Sequence, residues 1–148
     1  RRDITTPLST NMCVVSFEDL PLGIQNHAVD IILGDPHKWG GVLATKKLAA
    51  VCETFSLGMS MHSGAELGIS TAVNVHLAAS TPQIYLAIDT HYDQTEDDIL
   101  EGGKLHFENG CIRVPDGPGI GVRLVSEVFA NLLVDVLYGV IDPRIRYG

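Results

Sequence analysis

The chain has only three cysteines in 148 residues, and none forms a Cys-x-x-Cys pair. That excludes a disulfide framework and a zinc ribbon, since both need paired thiols at set spacings. Cys13, Cys52 and Cys111 are expected to be reduced, mostly buried thiols of a cytoplasmic protein. Basic residues are also scarce: 10 Lys and Arg against 18 Asp and Glu give a net charge of −8. A phosphate-backbone partner is therefore not expected, and nucleic-acid binding is set aside. No 18-residue apolar run and no signal-peptide layout occurs, so nothing points to a membrane span or to secretion. The acidic run Asp93, Glu96, Asp97, Asp98 and Glu101 lacks the glycine and terminal glutamate of a calcium loop, and reads as a solvated loop. Glycines crowd Pro115–Val122, but Pro118 and the missing strand-to-helix context exclude a nucleotide fingerprint.

What the chain does have is a repeat of polar residues, each closing a short apolar run. Asn11, Asp35, His62 and Asp89 follow one another at gaps of 24, 27 and 27 residues. The runs before them, Ile4–Leu8, Val29–Leu33, Leu57–Met61 and Ile84–Ile88, read as strands. Each gap has room for one helix and two loops. Repeated strand-then-helix units build parallel sheets, because a parallel return needs a crossover of roughly a dozen residues. In barrels of this kind the functional side chains stand where strands end. The α/β pattern predicts four consecutive units of a TIM-like barrel. A full barrel takes about 250 residues, so an amino-terminal portion is expected upstream.

Between the strands, helices are predicted around Phe17–Gln25, from Gly40-Gly41 to about Phe55, and over about Ala65–Ala79. The second should bury Ala44, Leu48, Val51, Cys52 and Phe55 on one face, at the i, i+3, i+4 spacing. The third should turn Leu67, Ile69, Ala72, Val73, His76 and Leu77 inward, with His76 a hydrogen-bonded helix residue rather than a ligand. Lys104–Glu108 and Cys111–Val114 alternate about Asn109-Gly110, a strong hairpin signal. From about Ser126 an apolar helix with Val128, Phe129, Leu132, Leu133, Val136 and Leu137 should serve packing.

Neighbouring strands of a sheet lie about 5 Å apart, so Asp35 and His62 can come within hydrogen-bonding reach. An aspartate accepting one ring N–H would fix the imidazole tautomer and leave the other nitrogen to move a proton. Asn11, one strand further round, offers a neutral oxygen suited to a hard divalent cation.

At these residues the sequence resembles a known family. Thr10-Asn11-Met12, Gly34-Asp35-Pro36-His37-Lys38-Trp39, Met61-His62-Ser63 and Ile88-Asp89-Thr90-His91 are similar to the last four strand ends of glucarate dehydratase and its relatives, in the mandelate racemase branch of the enolase superfamily. Val114-Pro115-Asp116-Gly117-Pro118-Gly119-Ile120-Gly121-Val122 resembles that family's closing motif. The resemblance spans about residues 3–122. It implies the carboxy-terminal half of a (β/α)7β barrel: the last four βα units in 1–91, a hairpin and loop returning to a capping domain in 92–122, and a divergent helix in 123–148.

The same resemblance implies roles. Asp35 and His62 match the catalytic dyad, and Asn11 matches a Mg²⁺ ligand that also touches substrate. Ser63 and His91 match substrate-binding positions. Gly64 falls among them where the family often has asparagine, so one hydrogen-bonding side chain is lost there. The implied reaction is dehydration of a small acid sugar: a proton is removed beside the carboxylate and water leaves, giving a 2-keto-3-deoxy acid. The implied enzymes also need two acidic metal ligands and a lysine base from earlier strands. The chain alone is thus expected to be inactive and to need its missing half-barrel or a second copy. Two rivals stand beside this reading. One is a zinc-dependent barrel hydrolase using His37, His62, His91 and Asp89. The other is a truncated, non-catalytic relic whose open sheet edges would drive it to aggregate or pair.

Overall fold

The structure is a computed structural model that describes residues 4–64 and 66–141, with side chains described as far as residue 137. The expectations placed on Asp3, on Ala65 and on the tail 142–148 lie outside the described residues. Elements follow in the order β1 (Ser9–Thr10), α1 (Leu20–Gln25), β2 (Ile31–Gly34), α2 (Pro36–Trp39), α3 (Val42–Thr54), β3 (Gly58–Met61), α4 (Gly68–Ser80), β4 (Phe107–Glu108), β5 (Cys111–Ile112) and α5 (Ser126–Ile141). β1, β2 and β3 form a parallel sheet in that order, while β4 and β5 form a separate antiparallel hairpin.

The strands are shorter than the apolar runs suggest, for local reasons. Ile4–Leu8 is irregular; Pro7 has no N–H to give to a ladder. The acid in the second run is used rather than merely tolerated: the Asp30 carboxylate accepts the Leu8 N–H at 2.8 Å, just ahead of the first ladder pair Ser9↔Ile31. β3 is buried at all four positions, the mark of a strand covered on both faces.

The fourth run does not become a strand. It touches β3 through two isolated bridges, Met59↔Ile84 and His62↔Asp89. Three steps along β3 are thus matched by five along the partner, so two residues bulge out and break the ladder. The Ser60 hydroxyl bridges the gap by donating to the Ala87 carbonyl at 2.6 Å.

The core lies between the sheet and its helices, with Ile32, Leu48, Cys52, Met59, Met61 and Leu77 almost fully enclosed. α3 is turned relative to the expected stripe: it buries Thr45, Leu48, Ala49 and Cys52, while Phe55 is 54% exposed. Thr45 can face inward because its hydroxyl donates back to the Gly41 carbonyl at 3.0 Å. α4 buries Thr71, Ala72, Asn74, Val75 and Leu77, leaving Leu67 exposed and Ile69 half-buried. His76 is half-buried and hydrogen-bonded, as expected: Nε2 lies 3.1 Å from the Ile120 carbonyl, tying the Pro-Gly loop to α4.

Four further expectations meet the structure. The hairpin turns at Asn109 and Gly110, whose φ values of 51° and 77° are those of a type I′ turn. The acidic run is not wholly solvated. Asp98 accepts the Gly68 N–H at the start of α4 and the Tyr92 hydroxyl. Burial, with that hydrogen bond second, pushes the Tyr92 phenol up to about 12. Gly68 packs tightly here: a Cβ would lie 2.4 Å from side-chain atoms of both Asp98 and Leu100, which would have to shift. Finally, Cys52 alone is buried, and burial raises its thiol to about 11; Cys13 and Cys111 are exposed. α5 also differs from its expected packing role, with Phe129, Leu132, Val136 and Leu137 open to solvent. Among the described residues, no helix is long and apolar enough to cross a membrane.

Candidate active site at the strand ends

Asn11, Asp35 and His62 are each the first residue after their strand: β1 ends at Thr10, β2 at Gly34 and β3 at Met61. Parallel pairing levels the last residues of β2 and β3, Gly34↔Met61, so Asp35 and His62 leave the sheet at the same height. The His62 N–H donates to the Gly34 carbonyl at 2.8 Å and the Asp89 N–H to the Met61 carbonyl at 3.1 Å, extending the level across three chain segments. The repeat in the sequence therefore does gather its members at one end of the sheet.

Their partners differ from those expected. Asp35 was expected to hold His62; instead its Oδ1 accepts the His37 N–H at 2.9 Å and sits 3.2 Å from the His37 ring Nδ1. The reason is local. Asp35 is the N-cap of α2, Pro36 occupies the first helical position, and the carboxylate turns toward the open N–H of that helix. His62 finds its acid on the other side, with Nδ1 2.9 Å from Asp89 Oδ2. The bridge between His62 and Asp89 places the two side by side. His62 is mostly enclosed, its side chain 17% exposed, whereas Asp89 is 55% exposed.

Asn11 is half-buried, and its backbone carbonyl accepts from Lys38 Nζ at 3.0 Å. Ser63 is buried and its hydroxyl donates to Glu66, with Thr90 Oγ1 3.4 Å away. Gly64 has no positive φ, and a Cβ there would meet Glu66 at an ordinary 3.6 Å. No backbone demand thus enforces glycine at this position. His91 is exposed, its Nδ1 3.3 Å from Gln94 Nε2.

Two residues were not anticipated in their present roles. Asp89 belongs to the repeat but was not assigned as the partner of His62; its position opposite His62 needed the register, which the bulge shifts. Glu66 was missed altogether. It stands three residues after Ser63, and Ser63 draws it back to the strand ends, 3.8 Å from His37 Nδ1. Burial pulls the Glu66 pKa upward. The Ser63 hydroxyl, hydrogen bonds at Glu66 and Gly64, and the charge of His37 outweigh it and hold the carboxyl below its ordinary value. Among the described residues the zinc-hydrolase set does not gather about one point: His62 and Asp89 meet, but His37 and His91 do not join them in a ligand group.

Comparison with known proteins agrees with the strand-end motifs. The profile of the enolase C-terminal domain-like family matches residues 1–128. A probable glucarate dehydratase of Streptomyces coelicolor is 45% identical over 126 residues, which are 85% of this chain and 29% of that protein. D-gluconate dehydratase of Thermoproteus tenax is 36% identical over 103 residues, 68% of this chain and 20% of the relative. Among solved structures, an enolase from Pseudomonas fluorescens with bound magnesium, potassium and tartrate superposes with a TM-score of 0.82 at 38% identity, covering 92% of this chain and 32% of that one. An isomerase from Streptomyces coelicolor gives a TM-score of 0.81 at 51% identity, with coverages of 91% and 36%. The chain thus spans about a third or less of the length of these relatives. It belongs to the enolase C-terminal domain-like family, and its α/β fold is the carboxy-terminal part of that superfamily's barrel.

Proposed function

We propose that this chain supplies the proton-transfer side of an acid-sugar dehydratase site, a carbon–oxygen lyase of the enolase superfamily. The observation that carries the reading is His62. It is an enclosed imidazole at a strand end with one ring nitrogen 2.9 Å from the Asp89 carboxylate. That contact fixes the ring's orientation and leaves Nε2 to exchange a proton with a bound molecule. Asp35, level with His62 in the ladder, is a further acid at this end of the sheet. In this reading His62 removes the proton beside the substrate carboxylate or delivers one to the departing hydroxyl. Loss of water then leaves an enol that becomes a 2-keto-3-deoxy acid.

The names of the relatives, dehydratases of glucarate, D-gluconate and D-xylonate, support an acid sugar as the substrate class. Ser63, Gly64 and His91 would line its position. The relatives crystallised with magnesium support that ion as cofactor. The residues present do not make a site for it on their own: Asn11 offers one neutral oxygen, and Mg²⁺ keeps its waters unless carboxylates bind it. The acidic ligands must then come from outside these 148 residues, from an amino-terminal half-barrel or a second copy. Residues 1–91 would provide the last βα units and 92–122 the returning cap. The free thiols accord with a reducing compartment, and we take the cytoplasm as the setting.

The test is to measure keto-acid formation from glucarate, gluconate and xylonate with Mg²⁺ present. The chain would be assayed alone and then joined to the amino-terminal portion of the Streptomyces coelicolor relative. Turnover only in the joined protein, lost in His62→Ala, is expected. Turnover by the chain alone would remove the need for outside ligands, and full activity of His62→Ala would remove the assigned role.

A further inference from the structure

α5 carries its large apolar residues along one side and covers nothing with them. Phe129, Leu132, Leu133 and Val136 stand at i, i+3, i+4 and i+7 with Leu137 beside them, and all five are between 48% and 58% exposed. Glu127, Asn131 and Asp135 fall on the opposite side, at i, i+4 and i+8. The first spacing is the one by which an amphipathic helix anchors itself in an apolar groove. The root of the helix is held in place: the Val125 N–H donates to the Ile99 carbonyl at 2.9 Å, and Leu100 bridges Leu124.

The same chain holds such a groove. Between α4, the segment after Ile84 and the β4–β5 hairpin lies a cleft of about 370 Å³, with Val75, Ala78, Leu86, Ile88, Phe107 and Ile112 on its walls. Among the described residues, no charged side chain and no residue of α5 lines it. A cavity of about 150 Å³ takes one benzene ring, so the cleft has room for about two apolar side chains such as Phe129 and Leu133.

We propose that the chain pairs with a second copy of itself by exchanging helices, α5 of each copy lying in the cleft between α4 and the hairpin of the other. Stripe and cleft are both open on one chain, and each supplies what the other lacks, so two copies cover all of these surfaces. The fifteen residues lining the cleft and the five of the stripe give each copy about twenty, the complement of a standard protein–protein interface. Charge argues against a lipid surface as the occupant. α5 has Glu127 and Asp135 but no Lys or Arg, whereas helices that lie on membranes carry basic residues on their polar face. The inference does not rest on the dehydratase reading, since neither His62 nor Asp89 lines the cleft.

The test is the oligomeric state of the 148-residue chain, read by light scattering during size exclusion over a dilution series. The parent is expected to be a concentration-dependent dimer. Phe129→Asp and Ala79→Arg both change exposed positions, one on the stripe and one on the rim of the cleft, and should leave far-UV circular dichroism unaltered. Each should raise the dimer dissociation constant about thirtyfold or more, the effect of losing a buried anchor. Mixed together, the two variants should form a heterodimer tighter than either makes alone, because the intact helix of one meets the intact cleft of the other. Glu127→Gln, on the far side of α5, should dimerise as the parent does. A monomeric parent, an Ala79→Arg variant that pairs like the parent, or a mixture no tighter than its components overturns the proposal. So does sedimentation of the parent with phosphatidylcholine–phosphatidylserine vesicles that Phe129→Asp abolishes.

Discussion

His62 and His37 are two imidazoles that each rest against an aspartate at the same end of the sheet, yet they are held by different means. His62 and Asp89 are 27 residues apart and meet only because β3 and the following segment form a bridge at that level. His37 and Asp35 are two residues apart and meet through one helix cap. The first pair depends on tertiary structure; the second can form wherever Asp-Pro-His begins a helix. A side chain's nearest acid in sequence can therefore capture it before a more distant one arrives.

The comparison can be broken from the His62 side first. In a joined, active protein His62→Ala should lower kcat by about a thousandfold, within the range general acid–base groups supply. His37→Ala should cost far less. Asp89→Asn should lower kcat by about a hundredfold, the low end of the same range, because the ring loses its orienting charge. Equal activity of the Asn variant would transfer the orienting role to Asp35.

The His37 side responds to stability measurements instead. Gly68→Ala should destabilise the chain by about 1–3 kcal/mol, as overpacking does, because the new methyl meets Asp98 and Leu100 at 2.4 Å. It should shift α4 and with it Glu66, while leaving the His62–Asp89 contact in place; urea denaturation and the histidine NMR resonances would show both. Asp35→Ala should cost about 1 kcal/mol through loss of the α2 cap. The smallest effect is that of pH. Glu66 has a depressed carboxyl pKa in the folded state, so its stabilising contribution is fully present above the ordinary value of 4.5 and is lost as pH falls through the folded value. Acidification from about pH 6 to about pH 3.5 should therefore destabilise the parent more than Glu66→Gln.

Much of this was legible in the sequence. The spacing of Asn11, Asp35, His62 and Asp89 placed the first three at strand ends and the fourth level with them through a single bridge, because a βα unit has a nearly fixed length. Asn109-Gly110 announced its turn, because few dipeptides accept two consecutive positive φ values. Partner choice was not legible. Whether Asp35 reaches His62 or His37 is decided by competition between a tertiary contact and a local N–H. The position of Asp89 depends on a two-residue bulge that no periodicity encodes. Glu66 and Asp98 were hidden for a related reason: each acid is recruited by a hydroxyl or amide, Glu66 by Ser63 within its own loop and Asp98 by Tyr92 and by Gly68 at the start of α4. The face of α3 was misjudged because Thr45 satisfies its own hydroxyl and so can occupy an apolar surface.

The bulge after Ile84 has one more consequence. A sheet with exposed margins invites other chains to add strands, and natural sheets avoid this with margins that are short or uneven. Here β1 contributes only two residues at one margin, and the segment beyond β3 offers two isolated bridges, not a continuous row of N–H and C=O groups. A stray strand would find little to dock on at either side, so fibril-like stacking should be disfavoured and association should proceed through side-chain surfaces.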